Sequence, residues 1–300
     1  MLAQRENSAY LPGFILPAAL TITSDLAEAC AGAHMVVMVV PSHVYRAVFC
    51  QVKQYVGAGM VVVSATKGIE NESLMTMTQI MADEFSLGSY AVLSGPSFAR
   101  EVAAEKPAAV TAAAYDSKIA ATVQEVFFTE TFRVYTSTDV IGVELGGPLK
   151  NIVAIAAGIC DGLGLGTNTR AALITRGLAE ITRLAVTMGA SPLTMAGLAG
   201  LGDLVLTCTG DLSRNRSVGL KLGQGMAIAA IQSEMRMVAE GVKTTKSAWN
   251  LSRKMNVDMP ILEQVYLVLY EGKTCPEAVH ALLHRDQKEE TALSMCANHR

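Results

Sequence analysis

VIGVELGGPLKNIVAIAAGICDG, Val140 to Gly162, decides how this chain is read. It is almost free of charge and apolar on every side, which marks a helix buried all round rather than one lying on a surface. The hydrophobic period differs on its two flanks. Upstream, MVVMVV (Met35–Val40), MVVVSAT (Met60–Thr66), YAVLSG (Tyr90–Gly95), AAVTAAA (Ala108–Ala114) and FRVYTST (Phe132–Thr138) are continuous apolar runs of strand length. Helical stretches, PSHVYRAVFCQVKQYV, ESLMTMTQIMADEFS and SKIAATVQEVFF, alternate with them, and a turn at Gly95-Pro96 precedes a short helix from Phe98. Strands apolar on both sides and separated by helices predict a parallel sheet covered on both faces. Downstream, TRAALITRGLAEITRLAVTMG, SRNRSVGLKLGQG, KTTKSAWNLSRKMN and PILEQVYLVLYEG keep a helical period and are divided by glycine or proline. The expectation is an α/β domain over residues 1–138 and an all-α domain over 139–300, with a frayed C-terminus.

Composition narrows the function classes. Of 300 residues, 51% are apolar and 17% charged, which argues for extensive burial and against disorder. The net charge of −3, with no long run of either sign, provides no footprint for nucleic acid or an acidic membrane. The longest unbroken apolar runs are strand-sized, so no membrane insertion is expected. Six scattered cysteines without a CxxC pair fit a reduced cytoplasm better than disulfides or a zinc site.

Several motifs carry chemistry. Lys150 stands among Leu149, Ile152, Val153 and Ile155, where desolvation lowers a lysine pKa toward neutrality and suits it to proton transfer. The same lysine could equally mark an exposed helix end. Asn151 beside it can donate to a substrate oxygen. Ser213 to Arg216 (SRNR) sets a serine N-cap before two guanidiniums at a helix start, an arrangement suited to phosphate; alone, such a cluster is more often a solvated helix start. Asp203 in GLGDL could orient a lysine or serve only as a turn residue. Lys67 in SATKG, and Gly95 and Ser97 in SGPS, fall at carboxyl ends of strands, where ligands of α/β sheets bind. GLGLG at Gly162 to Gly166 follows a helix rather than a strand and is not a nucleotide fingerprint.

Taken in order, VVPSHV, SATKG, SGPSFAREVA, VELGGPLKNIVAIAAGICDGLG, RAALITRGLAEITRL, GLAGLGDLVLTCT, SRNR and VAEGVKTT resemble the bacterial NAD(P)-dependent glycerol-3-phosphate dehydrogenase family. The resemblance runs from Tyr10 onward. It implies a Rossmann-type domain followed by a helical domain of the 6-phosphogluconate dehydrogenase-like kind, with the active site between them. It also implies reversible oxidation of sn-glycerol 3-phosphate to dihydroxyacetone phosphate with NAD or NADP, for glycerophospholipid synthesis in the cytoplasm. By the same resemblance Lys150 is the catalytic proton acceptor. Lys67, Gly95, Ser97, Lys150, Asp203, Ser213, Arg214 and Asn215 contact substrate, and Lys67, Ala99, Arg214, Val238 and Glu240 contact the cofactor. The apolar helical half is compatible with a homodimer.

One element of the pattern does not occur: no GxGxxG follows a strand near the N-terminus, where MLAQREN leads into an irregular YLPGFILPAAL. Such a turn cradles the pyrophosphate on a helix N-terminus. The expectation from its absence is an incomplete Rossmann-type sheet with an unpaired edge, weak cofactor binding and poor stability. A non-catalytic remnant that keeps the phosphate-binding helical domain is the alternative.

Overall fold

The computed structural model describes residues 1, 3–57, 59–235, 239–287 and 289–290. One sheet forms from Met35–Met38 (β1), Val61–Ser64 (β2), Ser89–Ser94 (β3), Ala108–Ala113 (β4) and Phe132–Ser137 (β5), in the order β1-β2-β3-β4-β5. The helices of this half are Leu26–Cys30 (α1), Tyr45–Val52 (α2), Met77–Glu84 (α3), Ala99–Ala103 (α4) and Ser117–Phe127 (α5). Among the described residues β1 pairs only with β2, and Val37 and Val39 beside that edge are exposed. Apolar clusters fill both faces of the sheet: Tyr45, Phe49 and Ile80 on one side, Val63, Ala112 and Val123 on the other.

Two details depart from the sequence reading. The β3–β4 ladder is antiparallel, while the other three are parallel. A parallel return needs a crossover of a dozen or more residues that packs on the sheet face. The connection between Ser94 and Ala108 is long enough by count, but its helix, α4, has only five residues, too short to run the length of the sheet face, so the chain turns back on itself. The helix expected over ESLMTMTQIMADEFS begins late, at Met77. Thr76 is its N-cap and its backbone amide donates to the Gln79 side chain at 2.9 Å, a capping box that stops the helix from extending upstream. Residues before it form a loop closed by a bridge between Ile69 and Thr76.

The helical half opens with Val140–Gly162 (α6), N-capped by Asp139, whose carboxylate accepts from the Gly142 amide at 2.9 Å. It is followed by Gly166–Thr187 (α7), Pro192–Met195 (α8), Asp203–Thr209 (α9), Arg214–Gly223 (α10), Ile228–Glu234 (α11), Glu240–Lys254 (α12), Pro260–Tyr270 (α13) and Cys275–Leu283 (α14). α6 is long and apolar enough to cross a bilayer, but 94% of its most apolar window is buried inside this fold, so it is the core helix of the bundle.

Glycines determine how α6 is packed. Gly158 and Gly162 face α10, and Gly219 and Gly223 face back at the same spacing of four. A Cβ at Gly219 would run into the Ile155 carbonyl, and one at Gly158 into the Arg216 carbonyl. The two backbones therefore touch, an approach that only glycine allows. This contact seats the first turn of α10, with SRNR, alongside the Lys150 turn of α6. Replacing glycine by alanine inside a helix ordinarily stabilises it by about 1 kcal/mol. Gly219→Ala is expected to do the opposite, lowering stability by about 1–3 kcal/mol through overpacking, measurable as a fall in the urea midpoint.

Candidate active site

The turn that presents Asp203 is π-helical, spanning Leu198–Gly202 directly before α9. Such wide turns accommodate one extra residue and re-aim the side chain that follows. Two glycines make room for it. A Cβ at Gly146 would strike the Ala199 carbonyl, and one at Gly200 the Met195 carbonyl. The π-turn thus lies directly on α6, and the Asp203 carboxylate, fully buried, enters the junction between the helical half and the sheet.

Two lysines meet on that carboxylate. Lys150 Nζ, on α6, pairs with Asp203 Oδ1 and donates to Thr207 Oγ1 at 2.8 Å. Lys67 Nζ, from the loop after β2, pairs with Asp203 Oδ2 at 2.6 Å and donates to the Gly95 carbonyl at 3.1 Å. The stem of Lys67 rests on Gly147, where a Cβ would come within 3.0 Å of Lys67 Cγ. Gly95 has a φ of +151° and packs so closely on β4 that a Cβ would lie 2.9 Å from Val110 Cα. That position needs glycine on both counts. Ser97 closes the turn, its hydroxyl donating to the Gly95 carbonyl at 3.2 Å. Pro96 and Phe98 of the same turn pack beside Gly202 and Gly210, which brings the strand-end loop onto the Asp203 turn.

Burial pulls the Lys150 ammonium down to about 7, and the Lys67 charge adds to the shift; Asp203 opposes both and is outweighed. A lysine poised near neutrality can take or return a proton at physiological pH. This is the reading that its apolar neighbours suggested, and the exposed-end alternative is excluded by its 5% exposure.

A second group of residues lines the same junction. Ser213 is the N-cap of α10 and its hydroxyl accepts from the Arg216 amide at 3.2 Å. Arg214 and Asn215 occupy the first turn of that helix. Asn215 Oδ1 accepts from the Gly241 amide at 3.0 Å, which joins α10 to the start of α12. Glu240 opens α12; burial raises its pKa, against the Ser42 backbone amide that donates to it and the charges of Arg214, Lys67 and Lys150. Ala99 opens α4 at the other side of the Gly95 turn. Val238 lies outside the described residues.

The pattern is therefore a near-neutral lysine and a second lysine on a shared carboxylate, next to a helix N-terminus carrying arginine and asparagine. Sequence models of the family described as NAD-dependent glycerol-3-phosphate dehydrogenase match it in two parts, the N-terminus over residues 1–120 and the C-terminus over 139–280. The chain belongs to this family. A glycerol-3-phosphate dehydrogenase [NAD(P)+] of Geobacter sulfurreducens is 59% identical over 293 residues, covering 97% of this chain and 88% of that protein. The crystal structure of the glycerol-3-phosphate dehydrogenase from Coxiella burnetii superimposes with a TM-score of 0.91 at 42% identity, over 94% of this chain and 87% of that one. The yeast enzyme GPD1 follows with a TM-score of 0.81 at 27% identity, over 92% of this chain and 83% of its own.

Within this family frame the structure adds residues that the motifs did not single out. Thr207 accepts from Lys150 and donates to the Asp203 backbone carbonyl at 2.7 Å, so it gives the lysine a second partner anchored on α9. Its signal in the sequence was the spacing of four from Asp203, which places both on one helix face. Ser42 is another such residue, and its amide contact to Glu240 depends on how the two halves meet. Asp203→Asn is expected to cost about 2–4 kcal/mol at pH 6, because two ammonium groups then share a dry site without an anion. The loss should shrink at pH 9, where Lys150 is neutral; urea unfolding at the two pH values checks it.

Proposed function

We propose that this chain interconverts sn-glycerol 3-phosphate and dihydroxyacetone phosphate with NAD or NADP, in the cytoplasm and for glycerophospholipid synthesis. The observation that carries the reading is Lys150, buried, near-neutral and held between Asp203 and Thr207 where the sheet half meets the helical half. In the oxidising direction neutral Lys150 takes the C2 hydroxyl proton. In reduction the Lys150 ammonium returns it to the C2 oxygen. Lys67, on the same carboxylate, and Asn151, next to Lys150 in the chain, are suited to contact the substrate oxygens, and Asp203 keeps the two lysines from separating. Ser213, Arg214 and Asn215 at the α10 N-terminus suit the substrate phosphate, since amides, helix dipole and guanidinium all favour an anion there.

The residues present fit the reacting end of a nicotinamide cofactor. Glu240 offers a desolvated carboxylate acceptor, Ala99 leaves space beside the Gly95 turn, and Arg214 and Lys67 provide positive charge. When bound, the cofactor accepts the C2 hydride in oxidation and supplies it in reduction. Cys30, Cys50, Cys160, Cys208 and Cys275, unpaired among the described residues, support the cytoplasmic location. No observation favours a non-catalytic remnant, whose site would have no reason to keep a tuned lysine.

Reduction of dihydroxyacetone phosphate with NADH or NADPH tests the proposal directly, and no turnover with either cofactor would overturn it. Lys150→Met should lower kcat by about 10²–10⁴ while KM moves only a few-fold, as loss of a general acid–base does. In the oxidising direction kcat/KM should rise with pH through a group near 7, because only neutral Lys150 accepts the proton. Lys67→Met should move that limb upward, since a positive neighbour disfavours protonated Lys150. A limb left in place would exclude the coupling between the two lysines.

A further inference from the structure

We propose that Glu144 is a positioning residue: by anchoring the N-terminus of α3 on α6 it sets where Lys67 stands relative to Lys150. The inference rests on the reaction proposed above. Glu144 lies in the first half of α6 and is buried, yet its partner is not a cation. Its Oε1 accepts from the Thr78 amide at 2.8 Å and its Oε2 from the Thr78 hydroxyl, both in the first turn of α3. Burial pushes its carboxyl pKa up, and the Tyr45 and Tyr115 hydroxyls feel its charge. A carboxylate in so dry a place is costly to keep, and an apolar side chain would fill the space at less expense.

What the anchor holds is the segment from Lys67 to Thr78. That segment meets α6 and its core at three points. Lys67 lies over Gly147, Ile69 is buried in the helical core with Leu145 and Leu149, and Thr78 sits on Glu144. Glu144, Gly147 and Lys150 follow one another at intervals of three along α6, so adjacent turns carry the anchor, the rest for Lys67 and the base. Arg46 braces the same loop through Glu70 at 2.8 Å, but both belong to the sheet half and leave the loop free to slide along α6. Glu144 is the polar contact that fixes that register. A shift there carries Lys67 away from Asp203 and weakens its charge on Lys150. The charged and titratable groups facing Lys150 are Lys67, Asp203, Glu240 and Cys208, and Lys67 is the one whose loop the anchor controls.

The test uses the full chain with Glu144→Gln, Thr78→Val and Thr78→Ser. Three properties are read: the melting temperature, the pH profile of kcat/KM for glycerol 3-phosphate oxidation, and the pH dependence of Lys150 reductive methylation followed by peptide mass spectrometry. Glu144→Gln and Thr78→Val should move the Lys150 limb upward by about half a unit to one unit in both profiles as the Lys67 charge recedes. KM for glycerol 3-phosphate in the same assay should rise about fivefold, as expected when a substrate contact is misplaced. Thr78→Ser, which keeps the hydroxyl, should behave as the parent. If Glu144→Gln does not fold, Thr78→Val carries the test. Variants that lower the melting temperature but leave both limbs and KM unchanged would reduce Glu144 to a structural group and overturn the inference. A parent chain inactive on this substrate pair, whose methylation limb still moves in the variants, would sink the proposed reaction and leave the positioning role standing.

Discussion

A single buried carboxylate, Asp203, holds one lysine from each half of the molecule, and the rest of the site is arranged around that bridge. Two ammonium groups at such short range repel, and in a dry junction neither could stay without an anion between them. The carboxylate allows them to coexist, while burial and the Lys67 charge keep Lys150 near neutrality. A structural tie between the sheet half and the helical half is thereby also the device that readies a base. The same balance explains why the lysine stands on the most buried helix of the molecule rather than on a loop.

That helix, α6, meets each neighbour through a different compromise. Along its C-terminal half, Gly158 and Gly162 let α10 approach to backbone contact, which delivers Ser213, Arg214 and Asn215 to the site. In its middle, Gly146 and Gly147 make room for the π-turn and for the Lys67 stem. Pro148 follows, and it removes the amide that would have bonded the Glu144 carbonyl. Nearer its start, Glu144 receives the N-terminus of α3. Helix propensity is given up repeatedly along α6, and at Gly146, Gly147, Gly158 and Gly162 another element comes closer than an ordinary helix would allow.

Much of the fold was legible in the chain. Continuous apolar strands announced a covered sheet, and the even burial of Val140–Gly162 follows from its near absence of charge. The reading failed where a choice was not local. Nothing in AAVTAAA says whether it runs parallel or antiparallel to YAVLSG; the shortness of α4 decides that. Thr76-Met-Thr-Gln79 was a capping signal in plain view, but the helical composition of the residues before it hid the true start of α3.

The sequence by itself determined the residue types of the site and their order: a lysine in an apolar helix, an aspartate after glycines, a serine-capped pair of arginines. It determined them because burial, turn conformation and capping are local demands that particular side chains meet. Only the tertiary structure decided that Lys67 and Lys150 share one carboxylate, that Thr207 rather than another hydroxyl steadies the base, and that Glu144 reaches across to α3. Those pairings join residues far apart in the chain. They arise from how closely glycine lets helices approach and from the need of every buried charge for a partner; a glycine spacing can mark a close approach, but nothing local says which distant element makes it.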